Sequence, residues 1–241
     1  MLIVIRRLYR LLISTLLTCA VFSGPAWAGD SRQSETVPEV DAFFKLSDRF
    51  RIYTMASLTQ SVSEGTSDGE IGAYLDVLAI RPIIRRPLAN LDWERNQYLW
   101  GRIGFALAGI HEGLALSNGY NEKRLVVELT GRYPMSSDFW LVIRARSDLR
   151  EIQGDPSARL RVRFGLEKQY TVFGKTVVPY ARAEFLYDTR FAALNRQLYT
   201  AGAEVELTRR FRIEPYYQFQ NDTRTAPAHL DRVGLILKYY R

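Results

Sequence analysis

The sequence predicts an all-β chain folded as a single antiparallel transmembrane β-barrel, with ten strands favoured and twelve as the next even count. Three observations carry this reading. An export signal opens the chain, a hydrophobic period of two runs through segments of roughly 9–13 residues, and a charged face stands opposite most of the apolar ones. Composition narrows the field further. Hydrophobic residues at 47% and aromatics at 12% exclude a disordered chain. Two His and one Cys leave too little for a zinc site or a disulfide framework, so no cofactor is expected.

Met1 to Ala28 reads as a cleaved secretory signal. Arg6, Arg7 and Arg10 form its positive start, Leu11 to Phe22 its apolar stretch, and Ala26-Trp27-Ala28 a small-residue cleavage site before Gly29. The apolar run is shorter than the roughly 18–20 residues a spanning helix needs. Cys19 lies inside this segment, so the exported chain carries no cysteine and must be held by packing and hydrogen bonds. Loss of the three arginines lowers the formal charge from +7 to +4. Residues 29–47 read as a periplasmic N-terminal segment and 48–241 as the barrel. Gly29 to Glu39 reads as a polar flexible leader, and Val40 to Leu46 as a candidate extra strand.

Alternation then sets each strand in turn. From Phe50 and Ile52 the apolar parity continues to Leu58. Ile71, Leu75 and Val77 share one face of the second segment, and Ile103, Phe105 and Leu107 one face of the third. Leu125, Val127 and Leu129 alternate with Glu128 and Thr130. Phe139, Leu141 and Ile143 alternate with Arg144, Arg146 and Asp148. The pattern is cleanest in RLRVRFGLE, where Leu160, Val162, Phe164 and Leu166 oppose Arg159, Arg161, Arg163 and Glu167. Ala183, Phe185 and Tyr187 then oppose Arg182 and Glu184, and Tyr199, Ala203 and Val205 oppose Glu204 and Glu206. Phe211, Ile213 and Tyr217 oppose Arg212 and Glu214, and Val233, Leu235 and Leu237 close the chain against Arg232 and Lys238.

Polar links such as SVSEGTSDG, EIQGDPS and NDTRTAPAH alternate with tighter ones such as PMSSD and Arg209-Arg210. Longer outer loops, short periplasmic turns and an even strand number would produce that alternation and put both termini in the periplasm. Pro82 to Leu91, a long even link, is the exception. Phe50, Tyr133, Phe139, Tyr170 and Phe211 fall at one end of the strands, with Tyr187, Phe191 and Phe219 at the other, as interfacial girdles require.

With the apolar face toward lipid, the charged face lines the lumen. Arg144, Arg146, Arg159, Arg161, Arg163, Arg182 and Arg212 meet Glu167, Glu184, Glu204, Glu206 and Glu214 there as a candidate ion-pair network. Two uses stay open: pairs that plug a narrow barrel, or an anion-preferring constriction or small polar ligand pocket. Enzymatic constellations are sparse. His111 and Ser117 are the candidate catalytic pair of a lipid-modifying hydrolase, although six residues separate them in a loop. Arginines alternating with apolar residues and matched by glutamates argue against nucleic acid.

RARSDLRE, RLRVRFGLE and VVPYARAEFLYD, followed by AGAEVEL and IEPYYQFQND, resemble a bacterial family of outer-membrane barrels, domain of unknown function twenty-four-ninety. The resemblance covers residues 90–241 best. It implies an outer-membrane barrel and supplies no catalytic residues. The combined expectation is a non-enzymatic barrel in the outer membrane of a Gram-negative bacterium, a narrow pore or a structural or interaction component. Its partners would be outer-membrane lipid and the assembly machinery that reads VGLILKYYR at the chain end; the oligomeric state stays open. The alternatives are the lipid hydrolase and a soluble periplasmic lipocalin-like binder, whose apolar face would turn inward.

Overall fold

A computed structural model of the chain describes residues 32–62, 66–78, 98–112, 121–135, 139–224 and 228–241. The signal segment with its Ala28–Gly29 junction, Pro82 to Leu91 and Ser117 lie outside the described residues.

Twelve strands follow one another: β1 (Arg32–Lys45), β2 (Phe50–Ser61), β3 (Thr66–Leu78), β4 (Leu99–Glu112), β5 (Asn121–Pro134) and β6 (Phe139–Ile152). They continue with β7 (Asp155–Lys168), β8 (Tyr170–Val172), β9 (Lys175–Asp188), β10 (Ala193–Glu206), β11 (Phe211–Asp222) and β12 (His229–Tyr240). β8 is a three-residue piece that extends the β7–β9 hairpin beyond the break at Gln169. The other eleven form the wall, each antiparallel to its sequence neighbour, and β1 closes on β12 in parallel from Arg32 and His229 to Phe43 and Tyr240. Every wall strand therefore has a partner on both sides, which removes the open edges that recruit other chains.

Parity decides which face is which. Phe105 on β4 is 67% exposed, whereas Ala106 beside it is 1% exposed. The same alternation exposes Leu129, Leu160, Leu166 and Val233 on the outer surface. On the inner face, Glu128, Asp148, Glu184 and Glu214 are buried. An apolar outer band around a charged interior is the arrangement of an outer-membrane-type barrel. It is the reverse of the lipocalin-like alternative, which needs its apolar face inside. The expected girdle holds its geometry: Phe50, Tyr133, Phe139, Tyr170 and Phe211 all sit at the β1–β2 turn end, and Tyr187, Phe191 and Phe219 at the opposite end.

Three expectations change. The wall has eleven strands, not ten or twelve: the candidate extra strand Val40 to Leu46 is part of β1, which begins at Arg32 in residues read as a flexible leader. Its backbone is paired on both sides, to β2 and to β12. Only Val37 and Pro38 interrupt the β2 ladder, since proline has no N–H to donate. An odd strand number also places Arg32 and Tyr240 at opposite ends of the barrel rather than together. Finally, the contrast in link length is lost. EIQGDPS is a two-residue turn, with Gln153 at φ 53° and Gly154 at φ 96°, the paired positive values of a tight hairpin. Phe173 and Gly174 repeat it between β8 and β9.

Tyrosine rings lying flat over glycines shape the inner wall. Tyr74 pairs with Gly104, Tyr180 with Gly202 and Tyr216 with Gly234 across neighbouring strands. A Cβ at Gly104 would overlap the Ala73 carbonyl and the Tyr74 Cα, and one at Gly234 would overlap the Tyr216 ring. Only glycine lets ring and backbone approach so closely. Phe43, Tyr53, Tyr74, Ala106 and Val126 form a small apolar cluster on the inner side of β1–β5. Phe43 stacks on Tyr53 at 4.8 Å and on Tyr240 across the seam at 4.7 Å.

Candidate functional site in the lumen

The charges on the inner face converge on a lumen cavity of about 520 Å³ lined by residues from all eleven wall strands. Its construction follows from strand register. Arg144 stands opposite Arg163, Arg146 opposite Arg161 and Asp148 opposite Arg159 across the β6–β7 ladder. Like charges in such positions repel by roughly 0.2–1 kcal/mol, so carboxylates must lie between them. Asp148 does so for three arginines: Arg146 Nε donates to it at 2.6 Å, Arg161 Nη2 lies 2.8 Å away and Arg159 Nε donates at 3.2 Å. Glu184, from β9, takes Arg163 Nε at 2.5 Å and Arg144 Nη2 at 2.7 Å, with Arg161 at 3.6 Å. Glu128 on β5 adds a contact to Arg144 at 3.4 Å.

A second group lies on β9 to β12. Arg182 Nη1 donates to Glu214 at 3.2 Å and its Nη2 lies 3.5 Å from Glu167 of β7, while its guanidinium stacks 3.6 Å from the Tyr180 ring centroid. Arg212 Nη1 donates to Glu204 at 3.0 Å, and Lys238 Nζ reaches Glu204 at 2.7 Å and Glu214 at 2.5 Å. A third group holds Asp76 between Arg51 and Arg102, the latter at 2.5 Å. Apart from Arg146–Asp148, which lies within β6, each of these pairs joins strands that are neighbours or have one strand between them. The network therefore runs along the wall, around the cavity.

Eleven of the twelve residues expected in the network make ion pairs within it; Glu206 makes none among the described residues, although it stands opposite Arg212 in register. Parity set Glu128, Asp148 and Lys238 on the polar face without placing Asp148 or Lys238 in the network, and it passed over Asp76 and Arg102. Asp148 was findable, since it follows Arg144 and Arg146 at the same two-residue step. Asp76 and Arg102 were not, because their segments are read from the apolar residues alone. The backbone of His111 lies in β4 opposite Ser67; its side chain, like Ser117, lies outside the described residues.

A family model described as "Protein of unknown function (DUF2490)" matches residues 44–231. The chain belongs to this family. The match contains β2 through β11 whole, so the DUF2490 region includes the Arg-rich β6–β7 ladder and its Glu184 bridge. The seam strands contribute only their ends to it. No curated protein matches this DUF2490 chain. Among solved structures, the beta domain of the Bordetella autotransporter Brka aligns at 14% identity and a TM-score of 0.49, over 76% of this chain and 81% of its own.

Proposed function

We propose that this barrel is a non-enzymatic, narrow, charge-lined pore in the outer membrane of a Gram-negative bacterium, exported by its cleaved signal and inserted by the outer-membrane assembly machinery. The observation that carries the reading is the course of the ion pairs along the wall around a cavity of about 520 Å³. Pairs that plugged the barrel would join opposite strands. Arginine exceeds carboxylate on the β6–β7 side, which favours anions through the electrostatic potential of a confined lumen.

Reconstitution in planar bilayers under a salt gradient tests this. Small resolved conductance steps with a reversal potential on the anion side are expected. A folded barrel, identified by heat-modifiable migration on gels, that passes no current would sink the pore and leave a structural barrel.

A further inference from the structure

We propose that the waist of the lumen is a binding site for small zwitterions, with the ammonium end on Glu39 and Asp41 of β1 and the carboxylate end on the arginines of β6 and β7. This rests on the reading of the lumen as reached by solvent. Strand order sets the two groups face to face. From β1, four strands intervene on the way to β6 through β2, and five on the way through β12, so β6 stands across the barrel.

Register sets them at one height. Successive ladder partners of Glu39 are Ser57, Glu70, Ala108, Glu122 and finally Ile152 on β6. In the other direction, partners of Val37 run through Gly234, Tyr216, Gly202, Tyr180 and Glu167 to Trp140 on the same strand. Ile152 and Trp140 lie near opposite ends of β6, the stagger that strand tilt imposes on a closed barrel. The part of β6 level with Val37–Asp41 lies midway between them, at Arg144 and Arg146.

The two walls carry complementary excesses. On β6–β7, five arginines share Asp148, Glu184 and Glu128. On β1, no Lys or Arg forms an ion pair with Glu39 or Asp41 among the described residues. Asp41 accepts a hydrogen bond from Tyr53 Oη at 2.9 Å, and the Glu39 and Asp41 carboxyls hydrogen-bond to each other, so the pair shares a proton and presents one negative charge. The neighbouring Lys238 is engaged by Glu204 and Glu214, and Arg102 by Asp76. Glu39, Asp41, Arg144, Arg146, Arg161 and Arg163 all line the same cavity. A simple anion or cation answers one wall only, whereas a small molecule with both charges answers both.

Glycylglycine, measured by calorimetry on the full barrel in detergent, is the probe. N-acetylglycylglycine keeps only the carboxylate, and glycylglycinamide only the ammonium. Glycylglycine should bind saturably and roughly tenfold tighter than either, the scale of one charge-assisted contact. In Glu39→Gln/Asp41→Asn its affinity should fall to that of N-acetylglycylglycine, whose own binding stays unchanged. Glu39→Gln alone, which breaks no ion pair, serves if the double variant loses heat-modifiable migration, and should show part of the same fall. Equal binding of all three compounds, absence of saturable binding, or unaltered discrimination in the variants would overturn the site. Selective binding without current would overturn the pore alone, and current without discrimination the zwitterion site alone.

Discussion

Arg146 and Arg161 face each other across the β6–β7 ladder, and both point their guanidinium groups at the single carboxylate of Asp148, at 2.6 and 2.8 Å. Two cations are thus held side by side by one fully buried anion.

Removing that anion leaves three arginines without their shared counter-charge. Loss of one partner from a buried pair typically costs about 3–5 kcal/mol, so Asp148→Asn should lower stability by that order in urea unfolding from lipid vesicles. Adding Arg161→Gln to Asp148→Asn should recover part of the loss, because it removes one of the stranded charges. A double variant less stable than Asp148→Asn would contradict the bridging role.

Two glycines that look alike should behave differently. An alanine at Gly234 meets the Tyr216 ring first, whereas one at Gly104 meets the Ala73 carbonyl before the Tyr74 ring. Each substitution should cost about 1–3 kcal/mol by overpacking. A double-mutant cycle with Tyr216→Ala should show strong coupling for Gly234→Ala, since the ring is the obstacle. The cycle of Gly104→Ala with Tyr74→Ala should show weaker coupling, because the backbone obstacle remains.

The parallel seam gives the two chain directions a fixed sidedness. Single cysteines at Gln33, Arg190 and Thr223 should react as one set with a membrane-impermeant maleimide on intact cells. Cysteines at Ser47, Thr208 and Arg241 should form the opposite set. Gln33 reacting together with Arg241 would contradict the odd strand number.

Charge at the waist should tune selectivity. Arg144→Gln/Arg163→Gln removes two cations that meet at Glu184. The reversal potential under a salt gradient should move toward cations, whereas Glu184→Gln should move it toward anions. Identical reversal potentials in the two variants would show that these residues do not face the conducting path.

The strands were legible where one face is uniformly apolar: RLRVRFGLE assigns inside and outside to β7 without any knowledge of its neighbours. β1 was legible only in its second half, as the candidate strand Val40 to Leu46, because its inner face carries Glu39 and Asp41 and its outer face Thr36 and Pro38. Neither reads as a membrane strand until the arginine wall opposite is known. The Gln153-Gly154 turn was hidden in a polar stretch that reads equally well as a loop. The ion-pair partners were legible as a set of inward charges, but which carboxylate serves which arginine depends on register. Asp148 serves three arginines and Glu206 none for that reason. The facing of Glu39 and Asp41 by Arg144 and Arg146 depends on the stagger of the whole ring, which no local segment contains.

The seam between β1 and β12 also governs when the barrel can finish folding. Arg232 Nε reaches Glu35 at 2.5 Å across it, a pair separated by 197 positions in the chain. Antiparallel neighbours can zip from a tight turn, but parallel partners have no such starting point. The first strand of the wall must therefore wait for the last one made. Until then the chain is an open sheet with two unsatisfied borders, and such long-range closure is slow. Whatever guards those two borders in the interval determines whether the chain becomes a barrel or an aggregate.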